Sequence, residues 1–186
     1  MAYCTIAVAL AAAPTRSVAY GKEVWECYAE TISPEPAQLV LRVSNGTKKG
    51  TLFATKKTGD RLIISGDLIL NDPTNSTVLY GQMFCDAHDD QFVNEVIVVG
   101  RLSKEAKVSD TQKSAARSVA VNRYNDGEEL TDWFRLRGYG FSMDKLVGAP
   151  KGSLISAHGC LEQKANRDGN PYMEIKCRSV RVHSKG

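Results

Sequence analysis

The chain has 186 residues, of which 24 are Lys or Arg and 21 are Asp or Glu, and its formal net charge is +3. Hydrophobic residues make up 42% and charged residues 24%, a composition that excludes a disordered or fibrous chain. No apolar run reaches the roughly 18 residues that a membrane-spanning helix needs. The length suits one domain of usual size or two small ones.

Charge is distributed unevenly between the two halves of the chain. Residues 1–90 carry 8 basic and 10 acidic side chains, a net charge of −2. Residues 91–186 carry 16 basic and 11 acidic side chains, a net charge of +5. A basic half is compatible with a polyanionic partner, but charge alone favours the simpler interpretation of a solvated basic surface.

The cysteines and the N-terminus bear on the cellular setting. There are five cysteines and no CxxC pair, which argues against a secreted disulfide framework and favours a reducing, cytoplasmic environment. The apolar start MAYCTIAVALAAAP resembles a signal peptide, but its first basic residue, Arg16, comes after the apolar run. We therefore interpret this segment as a strand of the mature protein.

An internal repeat organises the chain. The segment TGDRLIISGDL (58–68) aligns with KGSLISAHGCL (151–161) at an offset of 93 residues, so that two glycines and a leucine match. Upstream, LVLRV aligns with FRLRG at nearly the same offset. Matches in the same order at nearly constant spacing indicate a duplicated unit. We predict one domain in residues 1–90 and a second in residues 91–186.

The second copy is predicted to consist of strands and one short helix. Ser142–Val147 is the helix, with its first residue as the N-cap and Gly148 ending it. The dipeptide Asp168-Gly169 is typical of a hairpin turn. The predicted strands are Val93–Leu102, Ser118–Arg123, Asp132–Tyr139, Ser153–Leu161 and Tyr172–His183.

Five strands with a helix between the third and the fourth are the order of the OB-fold, a small, partly open Greek-key barrel. The fold prediction is therefore an all-β chain with two tandem OB-folds, the second of which has the short helix.

The third strand of the second copy carries the functional prediction. Side chains of a strand alternate between its two faces, so Phe134 and Leu136 are expected to face the core and the odd-numbered residues to face solvent. Two aromatic rings interleaved with two guanidiniums suit single-stranded nucleic acid, because unpaired bases stack on rings while arginines neutralise phosphates. A slipped register would bury both arginines at high cost. The odd-numbered residues are Trp133, Arg135, Arg137 and Tyr139.

Other candidate binding residues lie around this strand. Two follow the second strand and the rest lie on the hairpin between the fourth and fifth strands, a region that OB-folds use to bind oligonucleotides. Each of them taken alone is more often a plain surface residue. These candidates are Arg123, Tyr124, Lys164, Asn166, Arg167 and Tyr172.

Residues 93–183 resemble bacterial-type single-stranded DNA-binding proteins. The resemblance rests on VNEVIVVGRLSKEAKV, SVAVNR, TDWFRL, KGSLI and RDGNPY, which occur in the family's order. It implies an OB-fold that wraps single-stranded DNA with little sequence preference and protects it during replication, recombination or repair. The family's stacking aromatics correspond to Trp133 and Tyr139, with Tyr124 a weaker correspondence, and its backbone-gripping arginine corresponds to Arg135.

The chain departs from the family pattern in two places. The family has a further aromatic residue on the fourth-to-fifth hairpin, where this chain has Lys164-Ala165-Asn166. The missing ring predicts weaker binding or a smaller footprint. The family also ends in an acidic tip that recruits replication and repair proteins, whereas this chain ends in the basic sequence RVRVHSKG.

The first copy resembles the family only faintly. In the repeat alignment, Gln38 takes the place of the tryptophan, Val40 that of the first arginine and Ser44 that of the tyrosine, while Arg42 keeps its counterpart. We therefore predict a degenerate OB-fold in residues 1–90, which mainly completes the assembly. The aromatic residues of this copy, Trp25, Tyr28 and Tyr20, are interpreted as core or interface residues, with a separate stacking set as the alternative.

The resemblance also implies an assembly and a location. Family members with one OB-fold in each chain form tetramers and those with two form dimers, so by analogy this chain is a homodimer with two OB-folds from each protomer. The setting expected is the bacterial cytoplasm, in association with the nucleoid, or an organellar equivalent.

Motifs of catalysis are missing from the sequence. The histidines and cysteines have no metal-ligand spacing, and GxSxG, GxxxxGK[ST] and GxGxxG do not occur. We therefore expect a binding protein without enzymatic activity, metal or cofactor. Two other functions stay open: an OB-fold interaction module of the replication machinery, and a binder of single-stranded RNA.

Overall fold

The computed structural model describes residues 1–70, 76–125 and 127–184. The chain divides into two compact units: an N-terminal unit, Tyr3–Asn94, and a C-terminal unit formed by Glu95–Gly186 together with Met1–Ala2. The division lies after Asn94, four residues beyond position 90, where the sequence analysis places it. One contact that keeps this stretch in the N-terminal unit is the bond from the Ala7 backbone N–H to the Val93 carbonyl, at 2.6 Å.

The N-terminal unit has its helix between the strands β4 and β5. Its elements are β1 (Ala2–Leu10), β2 (Thr15–Ala19), β3 (Lys22–Thr31), β4 (Gln38–Ser44), α1 (Lys48–Phe53), β5 (Arg61–Ile69) and β6 (Val78–Asp86).

The C-terminal unit repeats this order. Its elements are β7 (Asn94–Leu102), β8 (Lys107–Val108), β9 (Ser114–Asn125), β10 (Glu128–Tyr139), α2 (Phe141–Gly148), β11 (Leu154–Ala165) and β12 (Pro171–Ser184).

Each unit closes into a barrel with the same strand pairing. In the N-terminal unit the order is β2-β3-β4-β6-β5-β1, and β1 also pairs with β3. In the C-terminal unit the order is β8-β9-β10-β12-β11-β7, and β7 also pairs with β9. The short strands β2 and β8 are additions to the five strands of each barrel. Without them, the third and fifth strands are β4 and β6 in the N-terminal unit and β10 and β12 in the C-terminal unit, and each of these two pairs is parallel. This is the OB-fold topology, so the prediction of two tandem OB-folds is confirmed.

The glycines of the repeat share one structural role. Gly66 and Gly159 each lie at a register shift between the fourth and fifth strands of their barrel. A Cβ atom would come 1.8 Å from the Tyr80 carbonyl oxygen at Gly66 and 2.1 Å from the Lys176 carbonyl oxygen at Gly159. Only glycine allows such an approach of two backbones. The pattern of the repeat therefore marks a real bulge in both barrels.

Helix α2 begins differently from the prediction. Its N-cap is Gly140, which has a φ of 50° and makes no side-chain cap bond. Ser142 lies inside the helix, is buried, and its hydroxyl donates to the Arg178 carbonyl at 3.3 Å. The prediction of Ser142 as the N-cap is therefore wrong, because its hydroxyl bonds to the neighbouring strand β12 and not to its own helix.

A buried arginine fixes the other end of α2. One Nη of Arg117 donates to the carbonyls of Leu146 and Ala149, both at 2.6 Å, and Nε donates to the Lys104 carbonyl, also at 2.6 Å. Burial lowers the pKa of this guanidinium. The cation satisfies carbonyls that a helix end leaves without partners. Arg117 therefore anchors α2 to the barrel.

Helix α1 in the N-terminal unit was not predicted. It is short, and it begins after Thr47, whose hydroxyl accepts a hydrogen bond from the Gly50 backbone N–H at 2.9 Å. Phe53, at its end, is fully buried. Packing of this ring therefore stabilises a segment with low intrinsic helix propensity. No helix in the described part of the chain is long and apolar enough to cross a membrane.

Candidate nucleic-acid interface

Strand β10 separates its side chains into two faces as the alternation predicts. Phe134 and Leu136 are fully buried in the barrel. On the other side, Trp133 is 49% exposed and Tyr139 is 47% exposed. We call this side of the C-terminal unit the outer face. Its rings are half-buried, which leaves one part of each ring packed and another open to solvent.

The neighbouring strand β9 contributes small side chains to the outer face. In the register, Trp133 lies opposite Ala120, Arg135 opposite Ser118 and Arg137 opposite Ala116. Directly opposite residues of an antiparallel pair point to the same side. Small side chains cannot cover the neighbouring rings. The surface beside the aromatic row of β10 is therefore shallow on the β9 side.

A buried glutamate organises both arginines of the row. Glu174 on β12 is 1% exposed. The Nε of Arg137 donates to its two carboxylate oxygens at 2.8 and 3.0 Å, and the Nε of Arg135 lies 3.4 Å from Oε2. Burial tends to lower the pKa of Arg137, but the bond to Glu174 and its charge outweigh burial and raise it. Arg137 is therefore a half-buried structural cation and is less accessible than the prediction assumed.

Arg135 has a second neighbour on β12. Its guanidinium carbon lies over the ring of Tyr172, 4.8 Å from the centroid. This distance is within the range of a cation–π contact. The side chain of Arg135 remains 44% exposed. Arg135 and Tyr172, which the sequence analysis named separately, thus form one contact pair on the outer face.

Lysines continue the outer face toward strand β11. Glu162 lies between Lys164 and Lys176, with N–O distances of 3.1 and 3.3 Å. The Nζ of Lys176 is also 5.9 Å from the centroid of the Tyr139 ring. The hydrogen bond to Glu162 raises the pKa of Lys176. Lys176 therefore stays charged near neutral pH, and the two lysines share one carboxylate.

The hairpin between β11 and β12 presents two of the predicted residues. The Oδ1 of Asn166 accepts the backbone N–H groups of Asp168 and Asn170, both at 2.9 Å. Its carbonyl oxygen therefore shapes the turn. Arg167 is exposed at the tip. The hairpin thus offers one cation to a ligand and uses the asparagine to hold its own backbone.

The two candidates at the end of β9 lie on opposite faces. Tyr124 is 75% exposed and lies opposite Glu129, on the same side as Trp133. Arg123 points to the other side, where its Nε donates to Asp132 at 2.7 Å. Asp132 is 8% exposed at its side chain. The structure therefore brings Tyr124 to the aromatic row and places Arg123 away from it.

Four residues of this region were missed by the sequence analysis. Glu174 and Lys176 alternate with buried residues along β12, so the strand period that identified the β10 row also applies to them. Their contact with β10, however, depends on the parallel pairing of the two strands. Phe141 is 90% exposed at the start of α2. The missed residues are Phe141, Glu162, Glu174 and Lys176.

The corresponding face of the N-terminal unit is filled. Val40 packs with Ile69 and Val78 in a buried cluster, against which the half-buried Tyr80 lies. Arg42 is 6% exposed. Its Nε donates to Glu26 at 2.6 Å, and its guanidinium lies 5.7 Å from the Tyr80 ring centroid. Apolar packing thus fills the position that Arg135 takes in the C-terminal unit, and Glu26 pairs with Arg42 as Glu174 pairs with Arg137.

The aromatic residues of the N-terminal unit are scattered. Tyr20 contacts Tyr80, with ring centroids 6.4 Å apart. The indole N–H of Trp25 donates to Asn45 Oδ1 at 3.1 Å. Tyr28 is 65% exposed on β3. These rings make separate local contacts, and no described row of alternating rings and cations runs along β4.

Within the described ranges, no group of three or more His, Cys, Asp or Glu side chains is arranged to hold a metal ion. All five cysteines are free thiols. Burial raises the pKa of both Cys27 and Cys177 to about 12, so these two thiols stay protonated and unreactive at neutral pH.

Comparison with known proteins gives matches in structure. The wild-type single-stranded DNA-binding protein from Thermus aquaticus is similar, with a TM-score of 0.70 at 12% identity over 100% of this chain and 94% of that chain. A deletion mutant of that Thermus protein gives a TM-score of 0.66 at 11% identity, over 100% and 96%. No family model and no curated protein sequence matches the chain. At this identity the likeness establishes the tandem OB-fold.

Proposed function

We propose that the chain binds single-stranded DNA with little sequence preference, through the outer face of its C-terminal unit. The observation that carries the proposal is the pair of half-exposed rings, Trp133 and Tyr139, separated along one strand by Arg135 and Arg137. Aromatic side chains stack on unpaired bases with about 1–3 kcal/mol per base. Every base has an aromatic ring face that can stack, so stacking does not select a sequence.

The cations of the outer face and the hairpin supply contacts to the phosphates. Lys164, Lys176 and Arg167 lie beside or beyond the aromatic row. The two lysines share Glu162, so their combined charge is partly compensated, whereas Arg167 is exposed at the hairpin tip. We expect a moderate dependence of affinity on salt, because neutralised phosphates release their counterions.

The biological role that fits this binding is protection of single-stranded DNA during replication, recombination or repair. The Thermus aquaticus protein that shares the tandem fold over nearly its full length is a single-stranded DNA-binding protein. We further propose a cytoplasmic homodimer, in which the N-terminal unit mainly completes the assembly. Its filled face and its lack of an aromatic row support this division of roles. The solution mass, measured by light scattering, tests the dimer.

A titration tests the proposed function. Fluorescein-labelled oligothymidine is titrated with the whole chain at several salt concentrations, and the anisotropy is followed. We expect saturable binding whose logarithmic affinity falls linearly with the logarithm of salt, and much weaker binding to duplex DNA. Oligouridine of the same length is the matched probe for RNA. Failure to bind any single strand would overturn the proposal, and tighter binding of oligouridine would replace DNA with RNA.

A further inference from the structure

Three side chains of the outer face form a connected group, of which the resemblance assigns only Arg135, as an arginine that grips the nucleic-acid backbone. The group consists of Arg135, Tyr172 and Glu174. The guanidinium lies over the phenol ring at 4.8 Å and its Nε lies 3.4 Å from the buried carboxylate. The ring thus lies on one side of the guanidinium, and the carboxylate lies nearest its Nε. A side chain held from two directions loses little further entropy when a ligand contacts it.

The charge of Arg135 is partly compensated before any ligand arrives. Glu174 is 1% exposed and also accepts two hydrogen bonds from Arg137. A phosphate that approached Arg135 would compete with this carboxylate for the same guanidinium. The carboxylate lies nearest Nε, and 44% of the Arg135 side chain remains exposed. What Arg135 offers outward is therefore a flat, weakly hydrated surface.

We propose that Arg135, backed by Tyr172 and positioned by Glu174, is a base-stacking platform between Trp133 and the β11–β12 hairpin. Arginine planes stack on unpaired bases in single-stranded recognition. The platform takes the place of the aromatic residue that the hairpin lacks at Lys164-Ala165-Asn166. Its ligand is an unpaired base of any kind. This inference rests on the proposed function, since it assigns a role within the same binding face.

A substitution that keeps the charge separates stacking from phosphate binding. Arg135→Lys preserves one positive charge but removes the plane. We expect about tenfold weaker binding of oligothymidine, with an unchanged slope of affinity against salt. The matched control is Arg16→Lys in the N-terminal unit, where an exposed arginine also lies over a ring, 5.4 Å from the Trp25 centroid, and affinity is expected to stay the same. Wild-type affinity in Arg135→Lys would overturn the platform.

A second pair of variants tests the positioning role of Glu174. Glu174→Gln adds net positive charge to the face, so a purely electrostatic role predicts tighter binding. We expect weaker binding, because the guanidinium loses its fixed orientation. Glu162→Gln makes the same charge change between the two lysines and is expected to bind as well as the wild type or more tightly. Tighter binding by Glu174→Gln would contradict the positioning role.

The outcomes distinguish this inference from the proposed function. If the wild-type chain binds no single strand, both fail. If the wild type binds and Arg135→Lys binds equally well, the function stands and the platform is overturned. Should Glu174→Gln fail to fold, as judged by circular dichroism, the comparison of Arg135→Lys with Arg16→Lys decides the result, because both of those side chains are partly or fully exposed.

Discussion

The two barrels of this chain share a strand order and a bulge but differ in one face. In the C-terminal unit, the third strand presents half-exposed rings beside small residues of β9. In the N-terminal unit, the exposed Gln38 and Ser44 replace the rings, and Val40 and Arg42 between them are buried, Val40 together with Ile69 and Val78. The fold is therefore common to both copies, and a few side chains decide whether its face is open. An OB-fold alone does not specify binding.

The one arginine common to both copies supports this conclusion. Arg42 pairs with Glu26 on β3, whereas Arg137 pairs with Glu174 on β12. The same position in the repeat is thus satisfied by carboxylates from different strands. In both cases the cation is a structural element of the barrel wall. The arginine that we propose to contact the ligand is the one without an arginine counterpart, Arg135, which corresponds to Val40.

The largest expected effect concerns Trp133 and Gln38, which match in the repeat alignment. Trp133→Ala should weaken oligothymidine binding by about 1–3 kcal/mol, because one base loses its stacking partner. Gln38→Ala, the matched change in the N-terminal unit, should leave the affinity unchanged. Anisotropy titrations of labelled oligothymidine measure both. Equal losses of affinity in the two variants would show that both faces bind and would contradict the proposed difference between the two units.

A reciprocal exchange tests the difference in burial. Val40→Arg places a charge in the cluster with Ile69 and Val78, so we expect the free energy of unfolding to fall by about 2 kcal/mol or more. Arg135→Val should lower the free energy of unfolding by about 1 kcal/mol or less, because the Arg135 side chain is half-exposed and Glu174 still has Arg137 as its ion-pair partner. Urea unfolding followed by circular dichroism compares the two. Equal tolerance would mean that the N-terminal face is as open as the C-terminal one.

A smaller effect is expected on the alkylation rate of one cysteine, Cys160, with Cys85 as its control. Cys160 lies on the outer face opposite Lys176, where burial raises its pKa, and Cys85 is exposed on the N-terminal unit. Saturating oligothymidine should slow the alkylation of Cys160 and leave that of Cys85 unchanged. Isotope-coded iodoacetamide and mass spectrometry give both rates, with the buried Cys27 as an unreactive reference. Protection of Cys85 instead would place the ligand on the other unit.

Sequence reasoning succeeded where the local period decides the outcome. The row from Trp133 to Tyr139 could be predicted because β10 pairs with β9 without interruption, so the alternation of faces continues along the strand. The same rule separates neighbours: Tyr124 lies on the outer face and Arg123 does not. Gly66 and Gly159 were visible as a repeat, since the bulge they form requires the same residue in both copies.

Other features depend on contacts that no local pattern contains. Glu174 meets Arg135 because barrel closure sets β12 parallel to β10. Helix α1 includes Gly50, a poor helix former, yet a Cβ there would lie 2.2 Å from the Ser44 carbonyl oxygen. The close approach to Ser44 therefore requires glycine at this position, although glycine has low helix propensity. Ser142 has the chemistry of an N-cap, and its burial beside β12 gives its hydroxyl a different partner.

The paired bulges at Gly66 and Gly159 have a consequence for how substitutions act on the chain. A side chain at either position would push the fourth strand away from the fifth and open the seam of that barrel. The damage should be the same in both halves, because the clash involves backbone atoms alone. Substitutions that lower the free energy of unfolding should thus include both glycines alike. Substitutions that lower oligonucleotide affinity should lie on the surface of the C-terminal unit only.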